Sequence, residues 1–142
     1  MIFLSSFLNV LLVSLVVGIH YGFLYQLSNL TQKIHIKPKF VIVIGVFGAL
    51  VAHTIEVWIF ATAYYLKLKA GIFGQLEGNF DGSWLDCVYF SFTTFTTLGF
   101  GDIVPSGYIR FLVGIESLTG LVLITWSASF LFFKMQKYWD RK

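Results

Sequence analysis

Three long apolar runs dominate the chain, Phe3 to Leu27, Phe40 to Leu66 and Ile109 to Phe133. Each exceeds the roughly 20 residues an α-helix needs to cross the hydrocarbon core of a bilayer. Lipid offers the backbone no hydrogen-bond partner, so each run is predicted to be a spanning helix. A polar connector, residues 29–39, separates the first two. Between the second and third, over residues 67–108, the pattern changes twice. Residues 67–83 are punctuated by Gly71, Gly74, Gly78 and Gly82 and predict an exposed loop or turret. Ser83 then precedes Trp84, with Asp86 at the third helical position, a capping pattern that starts a short helix over 84–95. That helix is too short to cross. Threonines and glycines follow at 96–102, and such nonhelical backbone survives at membrane depth only where protein buries it or it lines a watery cavity.

Composition agrees with the pattern. The chain is 57% hydrophobic, 19% aromatic and 12% charged, against about 25% charged residues in soluble domains. Its net charge of +3 points to topology rather than nucleic acid, because the basic residues gather at the ends of the runs. Lys33, Lys37 and Lys39 mark the connector and Lys134, Lys137, Arg141 and Lys142 the tail. The positive-inside bias makes both cytoplasmic, and places the amino terminus and the glycine-threonine stretch outside a cell membrane crossed several times. No Lys or Arg precedes Lys33, and the first run is too long for a cleavable leader, so it is predicted to span. The lone Cys87 excludes an intrachain disulfide. Membrane lipid is the expected environment, and no nucleic-acid partner is expected.

The candidate chemistry lies in Thr97-Leu98-Gly99-Phe100-Gly101, which has no acidic side chain until Asp102. Glycines at alternate positions permit positive φ, so consecutive carbonyls can turn to one side. A row of such oxygens can replace the water around a weakly hydrated monovalent cation, with the Thr97 hydroxyl at its inner end; a divalent ion would demand carboxylates. The stretch "YFSFTTFTTLGFGDIVP" resembles the pore helix, selectivity filter and outer mouth of the potassium channel family. The resemblance implies an all-α transmembrane fold. Its pore module would cover 40–142, with outer helix 40–66, turret 67–83, pore helix 84–95, filter 96–102 and inner helix 109–133. Residues 1–28 would form an additional amino-terminal helix. It further implies K+ contacts from Thr97, Leu98, Gly99 and Phe100, an exit turn at Gly101, and support from Thr96, Tyr89, Phe90 and Asp102. The filter stretch occurs once, so the resemblance implies a homotetramer. No cofactor is expected beyond permeant potassium ions.

Four positions depart from the family pattern, one of them Leu98, which replaces a valine and keeps an apolar anchor of different shape. Phe100 stands where a tyrosine is usual, and Phe90 where its hydroxyl often finds a tryptophan. Losing both partners of a buried hydrogen bond is nearly neutral, so Leu98 and Phe100 are expected to anchor the ribbon by packing in a cuff made from the short helix. Thr93 stands where some members place a glutamate that pairs with the mouth aspartate. The Tyr89 hydroxyl is therefore expected to bond Asp102 instead.

Polar residues inside the spans are candidates for function. His53 and Glu56 share a face of the second span, Glu116 lies in the third, and the favoured role for all three is interhelical hydrogen bonding, with proton-sensitive gating as the sharper alternative. His53-x-x-Glu56 is too little for a di-iron site. Gly120 is a candidate hinge or close-packing point. Ile124, Ala128 and Phe132 share a face and are candidates for an apolar gate. No nucleotide loop or catalytic triad occurs, and an enzyme is not expected. A weakly selective cation channel and an accessory transporter subunit are the competing functions.

Overall fold

The computed structural model describes residues 2–33 and 38–139, leaving aside the side chains of 32–33, 38–39 and 138–139. Along these residues run α1 (Ile2–Lys33), α2 (Pro38–Ala70), β1 (Leu76–Gly78), α3 (Trp84–Phe95), β2 (Ile103–Pro105) and α4 (Ile109–Trp139). Helices α1, α2 and α4 are each long and apolar enough to cross a membrane. At 1.5 Å per residue they measure about 46–50 Å, well beyond the roughly 30 Å hydrocarbon core, so their ends project into the headgroups.

All three overrun the ends expected from hydropathy. Helix α1 takes in the first part of the expected connector, because polar residues continue a helix once backbone bonds have propagated it. Thr31 Oγ1 folds back to within 3.0 Å of the Leu27 carbonyl and 2.9 Å of the Ser28 carbonyl. Lys134 Nζ donates to Ser28 Oγ at 2.9 Å, joining this end of α1 to the end of α4. The rest of the connector, 34–37 with Lys37, and the tail residues Arg141 and Lys142 lie outside the described residues.

The turret is not a free loop. Strands β1 and β2 pair antiparallel, with Leu76 opposite Pro105, Glu77 opposite Val104 and Gly78 opposite Ile103. The pairing continues on both sides: Ser106 N donates to Gln75 O at 2.8 Å and Asn79 N to Asp102 O at 2.9 Å. Two of the four glycines that suggested an exposed loop, Gly74 and Gly78, instead let the segment before α3 run close against the backbone at Ser106 and Asp102.

Lipid tails are as apolar as leucine, so packing and interhelical hydrogen bonds, rather than burial from water, hold such helices together. Phe60, Ala61 and Tyr64 of α2, Cys87, Phe90 and Phe95 of α3, Ile109, Leu112 and Leu123 of α4, and Val16 of α1 form the core. The short helix is thus wedged between α2 and α4, with α1 packed outside against both.

Candidate functional site

Local chemistry sets where α3 begins. Ser83 Oγ accepts from Asp86 N at 3.0 Å, Asp81 Oδ1 from Ser83 N at 2.7 Å, and Asp86 Oδ2 from Asp81 N at 2.8 Å. Hydrogen bonds from Ser83 hold the Asp81 carboxyl below its ordinary value. At the other end the chain leaves the helix without leaving its donors unpaired: Thr96 N donates to Phe92 O, Thr97 N to Thr94 O at 2.9 Å, and Gly99 N to Thr93 O at 3.0 Å.

With these amides turned back into α3, the backbone changes hand at every second residue. Thr97, Gly99 and Gly101 have φ of 60°, 51° and 80°. Alternation of left- and right-handed residues turns successive peptide groups the same way, whereas a strand alternates them. Two of the three positions are glycine, which takes this conformation freely. Thr97 does not, and a non-glycine residue held there stores about 1–3 kcal/mol, a kind of strain that clusters at functional sites.

Support for the ribbon is partly as expected. Tyr89 Oη donates to Asp102 Oδ2 at 2.8 Å, tying the outer end of the loop to the middle of α3. The bond to Asp102 raises the Tyr89 phenol above its ordinary value, so the donor hydrogen is retained through neutral pH. Thr96 Oγ1 donates to Phe92 O at 2.7 Å and Thr93 Oγ1 to Phe90 O at 2.9 Å. The cuff differs from expectation. Leu98 and Phe100 are 60% and 65% exposed, and Phe90 packs its edge on Tyr64 with centroids 5.2 Å apart. Phe90 packs toward α2 while also lining, with Thr93 and Thr94, the cavity beside Phe100, so within one chain the anchors stay largely uncovered.

Tyr89→Phe removes a hydrogen bond to a carboxylate at an exposed position. If the chain conducts ions as the resemblance implies, single-channel records should show open dwell times shortened several-fold with expression unchanged. Identical dwell times would deny the contact any part in holding the Thr97–Gly101 ribbon.

The intramembrane polar residues form two clusters behind α3. Glu56, fully buried, meets His20 Nδ1 through Oε1 at 2.7 Å and His53 Nδ1 through Oε2 at 2.8 Å. The His20 Nε2 lies 3.5 Å from Ser127 Oγ on α4. Three donor atoms thus fall within 4.8 Å of one another. Each carboxylate oxygen already serves one imidazole, the geometry of a hydrogen-bonded clasp rather than of an open chelate. Glu116 touches neither histidine and is bonded to Tyr64 and Ser91. His20 was not among the expected residues, nor was Lys67, whose Nζ donates to Asn9 Oδ1 at 2.6 Å. For His20 the available signal was an ionisable residue inside the first apolar run; Lys67 sits just past the end of the second and gave none.

Gly120 lies against the last residue of α3, and α4 is an unbroken helix through it. It is therefore a point of close approach. Ser117, one turn earlier, donates to Thr94 O at 3.1 Å. Ile124, Ala128 and Phe132 lie further along α4 and are exposed in the single chain.

A half-depth helix braced by spanning helices, delivering a polar, irregular ribbon into the membrane, is the architecture of a pore-forming protein. An ion channel family model matches residues 40–137, and the chain belongs to that family. The Thr97–Gly101 stretch, α3, both strands and nearly all of α2 and α4 fall within the match, whereas α1 lies wholly outside it. Among curated proteins, the potassium channel protein kcv of Paramecium bursaria Chlorella virus 1 is 39% identical over 54 residues, 33% of this chain and 57% of that protein. The match thus spans little more than half of this relative's length. No solved structure matches the chain significantly.

Proposed function

We propose that the chain is one subunit of a homotetrameric potassium channel, passing K+ down its gradient through a filter built from Thr97 to Gly101. The observation that carries this is the alternation of hand at Thr97, Gly99 and Gly101, with the neighbouring amides tied into α3. Carbonyls of Thr97, Leu98, Gly99 and Phe100, with the Thr97 hydroxyl, would then take the place of hydration water. One ribbon cannot enclose an ion. Exposed Leu98 and Phe100 suit a neighbouring subunit's surface, and four copies of α3 would aim the negative ends of their dipoles at a waiting cation. The joined ends of α1 and α4 carry Lys134 and Lys137, opposite the filter side, which supports a cytoplasmic carboxyl terminus and an extracytoplasmic amino terminus. The similarity to a viral potassium channel protein adds support for the ion, in the region that matches.

Purified protein in liposomes under a potassium gradient is expected to show flux blocked by barium, which is close to potassium in size. Gly99→Ala should remove that flux. Its Cβ has open space but must sit at φ 51°, which costs about 1–2 kcal/mol in each subunit. No flux from the wild type, or full flux from the variant, rejects the proposal.

A weakly selective cation channel is the second reading, favoured by Phe100, which lacks a hydroxyl and is largely uncovered by its own subunit. Reversal potentials under opposed sodium and potassium gradients separate the two.

A further inference from the structure

Glu116 is fully buried where α2, α3 and α4 meet, and the hydrogens available to its partners restrict its form. The Tyr64 hydroxyl bonds Oε2. Ser91 Oγ lies 2.5 Å from Glu116 Oε1 and 2.9 Å from the Val57 carbonyl oxygen. A carbonyl only accepts, and a serine has one hydrogen to give. Were Glu116 ionised, Ser91 would have to turn that hydrogen to the carboxylate, leaving its own lone pair 2.9 Å from the Val57 oxygen with no hydrogen between them. A proton on Oε1 satisfies every contact in one direction. Tyr64 donates to Oε2, Oε1–H donates to Ser91 Oγ, and Ser91 donates to Val57 O. Among the described residues no lysine, arginine or histidine forms an ion pair with Glu116, and an unpaired charge there would be far more expensive than a neutral acid.

We propose that Glu116 is an un-ionised carboxylic acid whose O–H donates to Ser91, and that it is the positioning residue setting where α3 lies beneath the filter. The path is short. Ser91 is two residues from Thr93, whose carbonyl holds the Gly99 amide at 3.0 Å. Glu116 touches no ion; it acts through α3.

Two measurements test this, and the first does not depend on the channel conducting. An infrared difference spectrum between wild type and Glu116→Gln, in hydrated bilayers at neutral pH, should show loss of the carbonyl stretch of an un-ionised acid, shifted by deuterium exchange. Loss of carboxylate bands instead overturns the proposal. The second is conductance together with the potassium-to-sodium permeability ratio. Glutamine can donate to Ser91 and accept from Tyr64, so Glu116→Gln should stay within about twofold of wild type. Ser91→Ala and Glu116→Leu strand buried partners and should lower conductance or the ratio about tenfold. Should Glu116→Leu fail to assemble, Ser91→Ala, the smaller change, decides. Glutamine as damaging as leucine overturns the neutral donor, and wild-type behaviour of Ser91→Ala overturns the positioning role.

Discussion

Gly120→Ala is expected to eliminate conduction. A Cβ at this position would run into the Phe95 carbonyl oxygen, 2.8 Å from the carbonyl carbon and 3.0 Å from Phe95 Cγ. The obstacle is backbone at the end of α3, so no rotamer relieves it. Phe95 itself is fixed between Phe60 and His53, at centroid distances of 6.2 and 5.7 Å. The added methyl must therefore push α4 away from α3, straining or breaking the Ser117 bond to Thr94 one turn earlier. Overpacking of this kind costs about 1–3 kcal/mol or more per subunit. It falls where the Thr93 and Thr94 carbonyls hold the Gly99 and Thr97 amides, so the loss should show in function before it shows in folding. The measurement is potassium flux in liposomes, with the yield of folded, assembled protein as a control. Gly18→Ala provides the comparison: its Cβ meets nothing within 4 Å, and alanine favours the helix. Flux from Gly120→Ala equal to that from Gly18→Ala would mean the contact has no functional weight.

The same residue illustrates what the sequence could and could not convey. Gly120 as a small residue in a span was visible, but its neighbour was not, because hydropathy names the helices without saying which faces meet. Features coded within a few residues were legible. The spans, the Ser83 cap and the residues of the short helix follow from local patterning, and the structure places them there. The bond from Tyr89 to Asp102 was reached by asking what could replace a missing glutamate at Thr93, an argument from chemistry at short range. Glycine also flagged two of the left-handed filter positions. It could not flag Thr97, because a non-glycine residue there is held by the surrounding bonds and not by its own preference.

Long-range partners were hidden. His20 is 36 residues from Glu56, and Lys67 is 58 from Asn9. Nothing in an apolar run says which other run its polar side chains will meet. Glu116 was recognised as buried and polar, yet Ser91 and Tyr64 become its partners only once α3 is wedged between α2 and α4. The turret strand was missed for a related reason: three residues pair with three others beyond the filter, and the glycines read equally well as a free loop.

The clasp around Glu56 yields the second large effect, and it concerns the helix that lies outside the family match. Two imidazoles, one from α1 and one from α2, direct Nδ1 at a carboxylate with no exposure at all. Glu56→Ala takes the acceptor from both at once, and breaking a buried polar cluster in this way costs about 2–5 kcal/mol. Thermal unfolding in detergent should fall accordingly, and α1 should become accessible to protease or crosslinker before the pore module does. Glu56→Gln should be milder. Its amide nitrogen can donate to His20 Nδ1 if that ring carries its hydrogen on Nε2, which then faces Ser127 Oγ at 3.5 Å. His20→Ala in the Glu56→Ala background should add little, because the partner is already gone, and the shortfall from additivity measures the coupling. If both single variants unfold within about 0.5 kcal/mol of wild type, the clasp contributes nothing measurable. The docking of α1 would then rest on Lys67 with Asn9 and on Lys134 with Ser28, the polar ties near its two ends.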